Sequence, residues 1–152
     1  MKRLILASIV ALLLLSAATA APSSGIGVFL GQPTGLSFGT DISAANWLDF
    51  KAAWNFANAN DGFSIILQGN YELAFPGSFV IEGQDIVPFI GVGAEAAIGN
   101  DLPQLGIRIP FGLNYRFAKA PLELFLELGG GLYLFPSTSF MGSGGLGLRF
   151  RF

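Results

Sequence analysis

The chain has 152 residues, of which 52% are hydrophobic and only 12% charged, with a formal net charge of −2. Charged content is about half the usual quarter of a globular protein, and a chain this short has too little interior to hide so much apolar surface. No basic patch suits nucleic acid, and the absence of histidine and cysteine removes the commonest general base, the commonest soft metal ligands and any disulfide.

The first element reads as a leader. Lys2 and Arg3 form a positive start, Leu4 to Leu15 an apolar run, and Ala18-Thr19-Ala20 a small-residue cleavage site. This is the signature of a secretory signal peptide. The run is too short to cross a bilayer comfortably, and cleavage one residue later would leave Pro22 at the first mature position. The expected organisation is a signal peptide over 1–20 and a single domain over 21–152. Loss of Lys2 and Arg3 leaves that domain more acidic than the whole chain. Beyond the leader no apolar run is long enough for a membrane helix.

Eight strand-like segments follow, at 24–31, 34–41, 46–56, 63–75, 86–98, 104–117, 121–134 and 139–152. Turn signals separate them: Gln32-Pro33, Asp41-Ile42-Ser43, Asn58-Ala59-Asn60-Asp61-Gly62, Pro76-Gly77, Gly99-Asn100-Asp101-Leu102-Pro103, Ala118-Lys119-Ala120 and Pro136-Ser137-Thr138. Alternation is cleanest in the second half. In 104–117 the residues Leu105, Ile107, Ile109, Phe111, Leu113, Tyr115 and Phe117 share one face, and Gly106, Arg108, Gly112, Asn114 and Arg116 the other. In 121–134 leucines alternate with Glu123, Phe125, Glu127, Gly129, Gly131 and Tyr133. In 63–75 Ile65, Leu67, Tyr71 and Leu73 oppose Ser64, Gln68, Asn70 and Glu72. The last segment sets Leu146, Leu148, Phe150 and Phe152 against Gly147, Arg149 and Arg151. A period of two sends these sets to opposite faces of a sheet.

Lipid on one side and a polar lumen on the other is the pattern of a transmembrane barrel. The expected fold is therefore all-β: an eight-stranded antiparallel up-and-down transmembrane barrel. The inverse, a soluble barrel with its apolar face inward, fails on space, because an eight-stranded interior is just wide enough to be filled by side chains. Aromatics also sort by depth. Trp47, Phe50, Tyr71, Phe75, Tyr115, Phe117, Phe150 and Phe152 fall towards the end with the termini, and Trp54, Phe56, Phe63, Tyr133, Phe135 and Phe140 towards the other. Two such girdles are expected at the two membrane surfaces. A weak repeat, Gly-Leu-x-aromatic-Arg-Phe, occurs at 112–117 and 147–152, and its first four positions at 35–38.

By parity, ten ionisable residues point inward: Asp49, Lys51, Glu72, Glu95, Arg108, Arg116, Glu123, Glu127, Arg149 and Arg151. Simple hairpin registers place Arg116 opposite Glu123, Glu123 opposite Arg151 with Glu127 diagonal to Arg149, and Glu95 opposite Arg108. Opposed charges on one face stabilise an antiparallel pair, and an unpaired charge in a confined lumen is costly. The expectation is a neutral, self-plugged lumen built on Arg116, Glu123 and Arg151, with Glu95 and Arg108 nearby. The alternative is a narrow path for ions or small solutes, although selective pores usually carry a ring of one sign.

No catalytic, cofactor-binding or metal-binding residue is expected. A serine hydrolase or acyltransferase usually needs histidine as base. Glu123 and Glu127 read more simply as salt-bridge partners than as a catalytic pair. Gly25-Ile26-Gly27 and Gly129-Gly130-Gly131 precede no helix, so they are not phosphate loops. Asp61, Asp85 and Asp101 are scattered turn residues without metal-ligand spacing.

The whole mature length resembles the small eight-stranded outer-membrane barrels of the OmpA and OmpX type. More narrowly, Gly31-Gln32-Pro33-Thr34-Gly35-Leu36-Ser37, Ile107-Arg108-Ile109-Pro110-Phe111-Gly112-Leu113-Asn114-Tyr115 and Pro121-Leu122-Glu123-Leu124-Phe125-Leu126-Glu127 are similar to an uncharacterised barrel family of spirochaetes and other double-membraned bacteria. That resemblance implies a bacterial outer-membrane location, with outer-membrane lipid as surroundings and the assembly machinery as a partner that reads Phe152. It implies no activity. The outer connections, near 31–33, 57–62, 99–103 and 135–138, are too short to support the adhesion of OmpX-like barrels, which leaves surface binding through short loops as a further alternative with no partner indicated. The longest connection, 76–85, falls on the presumed inner side, against the usual asymmetry.

Overall fold

The computed structural model describes residues 23–55, 64–99 and 102–152. The leader over 1–20, Phe56, Phe63 and the turn residues Asn58 to Gly62, Asn100 and Asp101 lie outside the described residues. Nine strands are present among the described residues: β1 (Ser24–Gln32), β2 (Thr34–Ser43), β3 (Asn46–Asn55), β4 (Ser64–Ala74), β5 (Phe79–Ile81), β6 (Gln84–Ile98), β7 (Gln104–Arg116), β8 (Leu122–Phe135) and β9 (Ser139–Arg151). All pairings are antiparallel. Neighbours in sequence pair in turn except β4 and β5, β1 pairs with β9, and β4 pairs with β6, so eight strands close into an up-and-down barrel.

The ninth strand is the one element that the sequence pattern hid. The segment 76–85 is not a loop: it contains β5, which pairs with the start of β6. Its residues were masked by Pro76 and Gly77, which read as a turn and do end β4.

Closure gives the alternation a fixed sense. Along β7 the odd positions Leu105, Ile107, Ile109, Phe111 and Leu113 are exposed, while Arg108, Pro110 and Asn114 are buried. Along β4, Ile65, Leu67, Tyr71 and Leu73 are exposed and Gln68, Asn70 and Glu72 buried. The barrel is thus inside out relative to a water-soluble domain, whose charged residues are almost never fully buried unless paired.

The interior has an apolar floor at the end that carries the two termini. Trp47 and Ala74 pack with Phe89, and Val87 lies against them. Higher up, Phe29 and Phe125 stack at 5.9 Å. Trp47 therefore fills the lumen, whereas its depth alone had placed it in an outer aromatic girdle. The ring of Phe125 occupies the space above Gly147, where a Cβ would lie 2.0 Å from a ring carbon. Glycine at that position is what lets an aromatic plug sit across the lumen.

Candidate functional site

The candidate site is the polar interior itself. Of the ten residues expected to point inward, nine are buried: Asp49, Lys51, Glu72, Glu95, Arg108, Glu123, Glu127, Arg149 and Arg151. Arg116 is the exception. It is the last residue of β7 and stands at the mouth, with its side chain 41% exposed. Its guanidinium turns to Asp41, donating to both carboxylate oxygens at 2.7 and 2.9 Å. It also lies 3.5 Å from Glu123 and over the ring of Trp47.

From that mouth inwards, charges alternate in one connected path. Asp41 accepts from Arg151 at 2.6 Å, and Arg151 donates to Glu123 Oε2 at 2.8 Å. Glu123 Oε1 accepts from Arg149 at 2.8 Å and from Asn114 at 2.8 Å. Arg149 pairs in turn with Asp49, and Lys51 with Asp49. Lys51 also reaches Glu127 at 2.7 Å, and Glu127 accepts from Arg108 at 3.1 Å. Arg108 approaches Glu95 at 3.8 Å. Each of the five cations Lys51, Arg108, Arg116, Arg149 and Arg151 thus approaches two carboxylates that come from different strands, and the path stitches β2, β3, β6, β7, β8 and β9 together across the lumen.

Neutral groups complete the shell. Ser37 Oγ accepts from Arg149 Nε and Nη2. Arg108 donates to Gln68, Asn70 and Ser143 at 3.0, 3.2 and 2.7 Å. Glu95 accepts from Gln68 at 2.8 Å and from the Tyr133 hydroxyl at 2.5 Å. Lys51 and Arg149 also lie over the Phe125 ring, at 5.7 and 4.1 Å. Tyr133 is therefore a lumen residue, on the face that its parity indicated and not in an outer girdle.

Glu72 is off the path. Its Oε2 accepts from Trp47 Nε1, and among the described residues its Oε1 has no hydrogen-bond partner and no cation pairs with it. One oxygen from each of Asp49, Glu72 and Glu127 falls within 4.8 Å of the others. The Lys51 ammonium already bonds two of the three carboxylates. Oxygen donors of this kind suit a hard cation, but the cluster has its own positive charge.

The registers differ from the simple hairpin expectation by two residues. Glu123 faces Arg149, not Arg151, and Glu127 faces Gly145. Glu95 faces Gly106, and Arg108 faces Gly93. Arg116 does face Glu123. A shift of two preserves the face of every side chain, and long side chains bridge diagonal neighbours. Glu123 therefore keeps Arg151 as well as gaining Arg149, and Arg108 still lies beside Glu95. Glu127 and Arg149 are not in contact; Asp49 and Lys51 stand between them. Sequence reasoning missed Asp41, which it assigned to a turn, together with Ser37, Gln68, Asn70 and Asn114 as partners. Parity with Ser37 along β2 was the available signal for Asp41.

A closed, antiparallel eight-stranded barrel with its charges inside and its apolar residues outside is the architecture of OmpA-type outer-membrane barrels. Among solved structures the chain is similar to the N-terminal β-barrel domain of Pseudomonas aeruginosa OprF, at 17% identity and a TM-score of 0.62, over 88% of this chain and 100% of that one. At that identity the likeness concerns the fold. No family model matches the chain, and no curated protein matches it.

Proposed function

We propose that the protein is an integral barrel of the bacterial outer membrane, with a structural role and a lumen closed by its own charges. The leader over 1–20 directs export. Outer-membrane lipid covers the apolar face, and the assembly machinery engages the strand ending in Phe152, whose backbone pairs with Ser24.

The observation that carries this reading is the inversion of polarity. Val92, Ile107 and Ile109 are more than half exposed, while Arg108, Arg149, Glu123 and Glu127 are at most 2% exposed. In water the first set is a severe aggregation liability. In a bilayer both sets are satisfied at once. The closed lumen is supported by the alternation of sign along the path from Asp41 to Glu95, by the Phe29–Phe125 stack and by the Trp47–Phe89 floor. Nothing in this arrangement resembles a ring of one charge, the usual form of a selectivity filter. The chain has no histidine, and the lumen hydroxyls of Ser37, Ser143 and Tyr133 are each bonded to a charged side chain.

The test is ion conductance of the refolded mature chain in planar bilayers, after a heat-sensitive gel shift has shown that the barrel has formed. Folded barrels that do not conduct are expected. Discrete, reproducible channels would overturn the closed lumen in favour of a narrow passive pore lined by Arg108, Glu127, Lys51 and Arg149. A stoichiometric partner recovered with outer-membrane vesicles would favour binding through the outer loops instead.

A further inference from the structure

We propose that the segment from Phe75 to Gln84 is a membrane-surface foot, a β-hairpin extension whose Phe79 and Ile81 side chains enter the lipid headgroup region at the end bearing the chain termini. The inference rests on the outer-membrane reading above and adds an interaction surface to it.

The segment is a built structure. β4 and β5 run in the same direction along the same edge of β6. The last β4 pair is Ala74 with Phe89, and the ladder resumes with Phe79 opposite Ile86. Four residues on one side thus span two on the other, so β5 continues β4 after a bulge. The bulge is pinned at both ends. The Phe75 amide donates to the Pro88 carbonyl at 2.9 Å, and the Asp85 carboxylate accepts from the Gly77 amide at 2.9 and 3.1 Å. Beyond Ile81 the chain reverses over Glu82 and Gly83, both with positive φ, at 50° and 77°. Two central residues of that kind match the twist of paired strands. The longest apparent connection is therefore a strand extension with a minimal turn.

Its composition is wrong for a hairpin standing in water. Phe79, Val80 and Ile81 are 56%, 59% and 59% exposed. Phe79 lies opposite Ile86, and Ile86 opposite Tyr115. Cross-strand partners share a face, and on β6 that face is the outward one, since Ile90 and Val92 are exposed and Phe89 is buried. Phe79, Ile86 and Tyr115 therefore form one outward row that extends the apolar wall of Ile90, Phe111 and Leu113. Tyr115 packs edge-on against Phe117 at 4.7 Å, and its hydroxyl donates to Gln84 at 2.6 Å. Aromatic rings with polar tips are characteristic of the membrane–water boundary. Ile81 lies two residues beyond this row, about 7 Å at strand rise, which is headgroup depth. The hairpin's own charges, Glu82 and Asp85, are acidic, so its contact is apolar and suits a zwitterionic surface. A protein strand added to β5 fits less well, because three residues form too short an edge to template another chain.

The test uses the absence of cysteine from the chain. Single cysteines replacing Phe79, Val80, Ile81, Lys119 or Ile109 carry a nitroxide label, and each barrel is refolded into phosphatidylcholine vesicles. Relaxation by oxygen, which partitions into lipid, is compared with relaxation by a water-soluble nickel chelate. The expected oxygen-to-nickel ratio at 79 and 81 is several-fold above that at 80 and 119 and below that at 109, the reference on the barrel wall. Equal ratios at 79, 80, 81 and 119, with 109 still reading lipid, would overturn the foot and leave the barrel intact. Spin–spin broadening between labels at 79 would also overturn it, by placing a second copy over the hairpin. A water-like ratio at 109 would instead refute the membrane reading on which the foot depends.

Discussion

Replacing Glu123 with alanine is the sharpest perturbation of the closed lumen. The Glu123 carboxylate is 1% exposed and accepts from Arg149, Arg151 and Asn114, each at 2.8 Å, with Arg116 at 3.5 Å. Alanine removes the one anion shared by three arginines. Arg149 retains Asp49 and Ser37, and Arg151 retains Asp41, so neither is stripped of partners, but positive charge then exceeds negative at that level of the lumen. Breaking a buried pair by removing one partner costs about 3–5 kcal/mol, equivalent to roughly a hundredfold to a few thousandfold in the folding equilibrium. Urea titration of the barrel refolded in vesicles, followed by the gel shift, measures this. Adding Arg149→Ala to Glu123→Ala should cost less than the sum of the single changes, by about 1–3 kcal/mol, because the two share a network. Glu123→Lys, which adds a further cation, should prevent folding. A loss below about 1 kcal/mol for Glu123→Ala, with additive behaviour in the double variant, would mean that water solvates these arginines and the lumen is open.

Other expectations follow from the same geometry. Ile109→Arg, on the outer face near the middle of β7, should destabilise the barrel in a bilayer by about 2–4 kcal/mol; an unchanged urea midpoint would argue against lipid at that surface. Gly147→Ala places a methyl against the Phe125 ring and should cost about 1–3 kcal/mol through overpacking; combining it with Phe125→Leu should recover much of that loss in the same titration. Tyr133→Phe removes the hydroxyl that donates to Glu95 at 2.5 Å and should cost about 1–3 kcal/mol, the range for leaving a buried acceptor unsatisfied; no change would place water at Glu95.

The barrel was legible in the sequence because a single rule, alternation with period two, governs nearly every residue of a strand that has lipid on one side and a narrow lumen on the other. It located β7, β8 and β9 to within a residue or two and sent Arg108, Glu123, Glu127 and Arg149 to the same interior. The same rule is blind to register. Glu123 lies opposite Arg149 rather than Arg151 because five residues, not three, separate the last paired residues Tyr133 and Ser139, and nothing in a face pattern reports that length. It is blind to depth as well. Arg116 has lumen parity, but as the last residue of its strand it leans out of the mouth to Asp41. The foot was missed for a third reason: Pro76 and Gly77 signal the end of a strand, and they do end one, while the ladder resumes at Ile86 after skipping two residues of β6.

The pairing of β1 with β9 also constrains the order in which the molecule can come into being. Gly25 to Gln32 pair with Gly144 to Arg151, so the first barrel strand in the chain stays unpartnered on one side until the last has been synthesised and delivered. Contacts so distant in sequence slow folding. Until they form, the other seven ladders make an open sheet with two free edges and an apolar face, a hazard in an aqueous compartment. Joining those edges removes both at once, which makes the β1–β9 seam the step that turns an open sheet into a closed wall, with the short edge of β5 left outside it.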